Sequence, residues 1–265
     1  MLSHWFTQLS DRNPQLLREI KGRVTRRNML ATLALSLVTQ LLIVGYNWRR
    51  IGSAYAETSE SQMMWRSWWF DIFNTITWIA LLLLLLLGSY LLVKDIAKEE
   101  RRGTLAFVRL SPEPAQNVLL GKLLGVPILL YEAIALTVPL HFWAASSAGL
   151  SLLTIASVYL LTAVSCSFVF SFTLFHSLGW GAQAQFWYIL PVFCTIYFLL
   201  SLLSFYASFE YQDHVHGQFM VATGDLNPGI GFFVVMGVLV TALVVLTFSL
   251  WWGSVKRFHY PPLRR

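Results

Sequence analysis

Charge is what this chain has least of. Asp and Glu number 13 and Lys and Arg 19, together 12% of 265 residues, where soluble domains carry about 25%. That excludes a well-solvated globular surface. Cysteine is as sparse. Cys166 and Cys194 both lie in apolar runs, which leaves no disulfide framework or zinc spacing and makes them small core residues. No GxxxxGK[ST] occurs. At Gly121-Lys122 the next residue is Leu123 and position 116 is Gln, so this chain lacks a phosphate loop for ATP. GxSxG and HExxH are missing too, which removes those hydrolase and zinc-protease sites. Glu99, Glu100, His141 and His176 resemble the glutamate-and-histidine membrane proteases only superficially, because the acidic pair lies in a charged loop.

Apolar residues make up 56% of the chain, with 11 Trp, 10 Tyr and 19 Phe. They come in long runs rather than at amphipathic spacing, and a bilayer crossing needs about 20 such residues. The sequence predicts an all-α integral membrane protein of six transmembrane helices, at about 28–46, 68–93, 123–143, 152–175, 186–206 and 230–252. Segment 1–27 is a cytoplasmic amphipathic segment, 28–252 the spanning domain and 253–265 a cytoplasmic basic tail. The net charge of +6 does not point to nucleic acid, since the basic residues cluster between spans as the positive-inside rule requires. With both termini inside, inner segments hold 16 Lys and Arg and outer loops three. Ala54-Tyr55-Ala56 resembles a signal-peptide cleavage site, but the preceding basic region and apolar run are too long for one.

The stretch 94–122 is a charged island between two spans, and it holds six of the basic and four of the acidic residues. Gly103 breaks the helical pattern, Thr104 is placed to cap a short turn to Leu110, and Ser111-Pro112 stops it. The island therefore reads as helix, break, short helix, break, helix. At the N-terminus, Asn13-Pro14 looks like a helix start. Leu16, Leu17 and Ile20 follow at helical spacing, and Glu19 pairs with Arg23 four residues on. This predicts an amphipathic helix on the membrane surface. Trp65, Trp68 and Trp69 fit an interfacial belt.

Three further features carry competing readings. Glu132, an acidic residue inside a span bracketed by Pro127 and Pro139, reads either as a substrate-path site or as a carboxyl satisfied by a neighbouring helix. His214 and His216 beside Asp213 have metal-ligand character but no third ligand, and solvated loop residues are the simpler reading. The connection 207–229 is apolar enough to form a re-entrant hairpin. No metal site is assigned.

Two places resemble one family, the ABC-2 type transporter permeases. One is Asn13-Pro14-Gln15-Leu16-Leu17-Arg18-Glu19-Ile20. The other is Glu99-Glu100-Arg101-Arg102-Gly103-Thr104-Leu105, then Leu110-Ser111-Pro112, then Leu120-Gly121-Lys122. The resemblance implies a permease half, in a homodimer or with another permease, in a prokaryotic plasma membrane. It sits on separate ATP-binding cassette subunits, which bind the ATP and magnesium, so this chain itself is no enzyme and holds no cofactor. A coupling helix between spans two and three would contact the ATPase through Lys98, Glu99, Glu100, Arg101, Arg102, Gly103, Thr104, Leu105, Phe107 and Arg109. Leu16, Leu17, Arg18, Glu19 and Ile20 would form the interface helix beside it. Export is favoured by resemblance alone, and cargo does not follow. The alternative is a membrane scaffold or assembly subunit that keeps the fold and moves nothing.

Overall fold

The computed structural model describes residues 13–54, 61–180 and 228–260, together with positions 189, 192, 193, 195, 197 and 198. Among these residues the chain is helical and contains no strand. Asn13 starts helix α1 (Pro14–Arg23): its side-chain oxygen accepts from the Leu16 amide at 2.8 Å, ahead of the Pro14 that opens the first turn. Helix α2 runs Arg26–Ala54. Helix α3 (Ser61–Leu82) passes through a π-helical turn at Leu83–Leu87, inside the leucine run, into α4 (Gly88–Arg101). After Gly103 come α5 (Thr104–Arg109), α6 (Ala115–Gly125), α7 (Ile128–Ala135), α8 (Val138–Ala148), α9 (Leu152–Trp180) and α10 (Pro228–His259).

Among the described residues, five helical stretches are long and apolar enough to cross a membrane: Arg26–Arg49, Met64–Arg101, Ile128–Ala148, Leu152–Trp180 and Met236–His259. The described residues thus form an all-helical body of membrane-embedded character. The second stretch outruns the expected 68–93 at both ends, and the third lies about one turn later than 123–143. Pro127 explains that offset, because it separates α6 from α7 and turns the first part of the expected span into a separate helix. The fifth expected span, 186–206, falls almost wholly outside the described residues, as do 207–229 with His214 and His216, and both chain ends.

The proline breaks are satisfied locally, as they must be in hydrocarbon. Pro127 has no amide to give to the Leu123 carbonyl, which accepts instead from the Tyr131 hydroxyl at 3.0 Å. Near the break at Thr137, the Ala133 carbonyl accepts from Ser36 and the Leu136 carbonyl from Gln40, both on α2. Helix α2 packs on α3 and α7, α3 on α8, α4 on α9, and α9 on α10. The core between them includes Ile72, Phe73, Leu85, Leu92, Leu119, Leu161, Phe170 and Leu174. Trp48, Trp65, Trp68 and Trp69 form one edge-on cluster where α2 ends and α3 begins.

Candidate functional site

The charged island folds as helix, break, short helix, break, helix. Gly103 supplies the turn between α4 and α5 with φ of +70°, a left-handed conformation that costs a residue with a Cβ. Gly103 itself occupies the cap position of α5. The Thr104 hydroxyl does not cap that helix; it donates back to the Glu99 carbonyl at 3.2 Å, tying α5 to the end of α4.

Helix α4 turns two of its three acidic residues inward and leaves Glu100 half-exposed. Asp95 and Glu99, four residues apart, face the protein interior. Lys94, Lys98 and Arg101, at the spacing of a single helical stripe, face outward, and Arg102 is exposed at the helix end. The inward pair meets Lys122, whose side chain is only 1% exposed. Its ammonium lies 2.8 Å from Asp95 Oδ2, 2.7 Å from Glu99 Oε2 and 4.0 Å from Glu19 Oε1. The Asp95 contact is a directed hydrogen bond. Arg23 joins Glu19 at 3.1 Å and Asp95 at 2.7 Å, Arg18 reaches Glu99 at 3.3 Å, and Gln15 donates to Glu19 at 3.1 Å. Three carboxylates and three cations close a neutral network across α1, α4 and α6. Neutrality matters, because one uncompensated charge at this depth costs several kcal/mol.

Glycine sets the distance between α1 and α6. A Cβ at Gly121 would lie 2.8 Å from the Leu16 amide nitrogen, and one at Gly125 would lie 2.5 Å from Glu19 Cβ. Two glycines four residues apart on α6 therefore admit the backbone of α1, much as small residues do between membrane helices. The contact brings Glu19 to Lys122, and Asn13 also donates to the Asn117 carbonyl at 2.8 Å.

The carboxylate oxygens of Glu19, Asp95 and Glu99 lie within 4.8 Å of one another. An all-oxygen set of this kind suits a hard divalent cation. Here the Lys122 ammonium already occupies the middle of the set, so the cluster works as a structural lock.

Of the residues expected to dock a partner, Glu99 and Leu105 are buried, while Lys98, Arg101, Arg102, Gly103, Thr104 and Phe107 are exposed. Phe107 is 79% and the neighbouring Leu110 86% exposed. Arg109 lies over the Phe258 ring at 5.7 Å, which seats α5 against the end of α10. In α1, Leu17 and Glu19 are buried and Arg18 is exposed, with Leu16 and Ile20 between. A cleft of about 460 Å³ opens between α1 and α4, lined by Arg18, Gly22, Arg23, Lys98, Arg102 and neighbouring residues.

Glu132 sits apart from this network. It is half-buried on α7, and its carboxylate has no hydrogen-bond or ion-pair partner among the described residues. A second polar group lies in the membrane-crossing region. The His141 ring stacks on Phe73, with Nε2 2.8 Å from Thr77 Oγ1 and Nδ1 2.8 Å from the Tyr159 hydroxyl. Thr77 donates its own proton to the Phe73 carbonyl, so it accepts from His141 Nε2–H, and Nδ1 accepts from Tyr159. One imidazole thus ties α3, α8 and α9.

Sequence reasoning missed Asp95, Gly125 and the role of Lys122. The available signals were the Asp95/Glu99 spacing of four, the Gly121/Gly125 spacing of four, and a lone charged residue, Lys122, within the apolar run Val118–Gly125. No family model, no curated protein and no solved structure matches the chain.

Proposed function

We propose that this protein is the membrane-spanning permease subunit of an ATP-driven transporter, with six spans and both termini cytoplasmic. Separate ATP-binding subunits dock on α5 and the end of α4, and the direction is export. One observation carries this reading: a short helix followed by exposed Leu110 and carrying exposed Phe107 is tied to α4 and α10 beyond the end of a membrane-crossing helix, and α4 is in turn locked to α1 and α6. A partner's movement at α5 reaches α4 through Thr104 and Glu99, α1 and α6 through Lys122, and α10 through Arg109 and Phe258. A chain without a phosphate loop needs such a rigid lever to receive work from ATP hydrolysis elsewhere. The 16-to-3 bias of basic residues supports the inward placement of this end.

The test is copurification of the full chain with an ATP-binding subunit from its own host, followed by ATP turnover of the reconstituted pair. Stable association and cargo-stimulated turnover are expected. Association with no turnover and no transport would make the chain a scaffold. No association at all would end the reading.

A further inference from the structure

The charges expected to orient a partner are not the ones the fold leaves available. Glu99 is consumed by Lys122 and Arg18, and Asp95 by Lys122 and Arg23. The side chains of Lys98, Arg101 and Arg102 are exposed and have no hydrogen-bond or ion-pair partner among the described residues. They lead directly to α5, whose Phe107 and Leu110 stand in solvent. The surface offered is an apolar tip with a collar of three basic residues on the α4 side, beside the half-exposed and already engaged Glu100.

Two occupants fit such chemistry, an anionic bilayer surface and a protein. Helix length separates them. The crossing helix Met64–Arg101 is 38 residues long, about 57 Å at 1.5 Å per residue. A hydrocarbon crossing takes about 20 residues. Counted from Phe70, just below the tryptophan cluster, it ends near Tyr90. The rest of the helix carries Arg101 about 16 Å farther, beyond the headgroup layer. The collar on α4 therefore stands beyond the headgroup layer, where a protein surface and not the bilayer meets it.

We infer that the partner surface covering α5 is acidic: an apolar depression for Phe107 and Leu110, flanked by carboxylates that face Lys98, Arg101 and Arg102. This rests on the permease reading and specifies the docking face of the ATP-binding subunit. The burial of Glu99 removes that carboxylate from an orienting role, and the half-exposed Glu100 has an interaction of its own. Complementary flanking charge raises the encounter rate and rejects partners of the wrong sign, and it makes association sensitive to salt.

The experiment uses the full chain in its native host, with benzoylphenylalanine at Phe107. Lys98, Arg101 and Arg102 are either intact or all replaced by glutamine. Irradiated adducts are mapped by mass spectrometry. The three residues are exposed, so membrane insertion and the size-exclusion profile should not change. The expected result is an adduct on an ATP-binding subunit, at a segment carrying carboxylates. Its yield should fall roughly tenfold in the triple variant. Added salt should lower the parent's yield and leave the variant's flat. An adduct on that subunit that is indifferent to the triple substitution overturns the acidic flank and leaves the permease reading standing. An adduct on lipid or on a second copy of this chain, or none on protein, overturns both.

Discussion

The Lys122 ammonium lies 2.8 Å from Asp95 Oδ2, at a side chain 1% exposed, and joins a helix that leads into one crossing stretch to the end of another. With Glu19 and Glu99 it draws α1, α4 and α6 into one body. Lys122→Met keeps the volume and removes the charge, leaving three carboxylates with only Arg18 and Arg23 to offset them. The expected cost is about 3–5 kcal/mol, read as a large fall in thermal stability of the detergent-purified chain. A variant that melts with the parent would show that the network contributes nothing to stability.

The glycine contact predicts a position-specific effect. Gly125→Ala places a methyl against Glu19 and should cost about 1–3 kcal/mol by forcing α1 away. Gly22→Ala has open space around the new Cβ and should be neutral or slightly stabilising. Limited proteolysis within α1 reads the displacement. Equal protection of both variants would mean that α1 does not depend on this approach.

The His141 group predicts a smaller change within the bilayer. Tyr159→Phe removes the donor to Nδ1, and Thr77→Val removes the acceptor for Nε2–H. Hydrogen bonds between membrane helices average about 0.6 kcal/mol, so each variant should lose about that much in reversible unfolding, without loss of insertion. A stabilised Tyr159→Phe would contradict a favourable hydrogen bond between Tyr159 and His141 Nδ1.

Sidedness is testable at described positions. Cysteines at Arg102 and Tyr260 should resist an impermeant reagent in intact cells and react after permeabilisation. One at Trp65 should react in intact cells. Labelling of Arg102Cys or Tyr260Cys in intact cells would sink the inward placement of this face.

Much of the architecture was legible because membrane spans are written in composition. Long apolar runs, the Asn13-Pro14 start and the Gly103 break are local signals, and each appears in the structure at or near its expected place. The displaced third crossing shows where locality fails. Hydropathy runs on through Pro127, while the helix does not. The candidate site was legible only in pieces. Glu19 was paired with Arg23 from spacing alone, which the structure contains at 3.1 Å. Its contacts with Lys122 and Gln15 differ in kind: Gln15 is four residues away, whereas Lys122 comes from a distant helix. Which acidic residues of the island turn inward is decided by where that lysine lies, and no window of local sequence contains both.

That last point gives the sharpest prediction. From sequence, Glu99 and Glu100 form one acidic pair facing a partner. In the fold, Glu99 is buried against Lys122 and Arg18, while Glu100 is half-exposed. Glu99→Lys would set a second ammonium where the first has a 2.7 Å contact, in a site with little water to screen the repulsion. The expected outcome is loss of folded protein rather than selective loss of docking. Glu100→Lys should fold normally. The swapped pair Glu99→Lys with Lys122→Glu restores one cation and one anion, and should recover much of the lost material. Fluorescence-detected size exclusion of the three variants measures this directly. Full recovery is not expected, because the swap places the glutamate beside Asp95 and Glu19. If Glu99→Lys gives as much monodisperse protein as Glu100→Lys, the carboxylate is not buried against Lys122 in the membrane, and the three-helix lock is wrong.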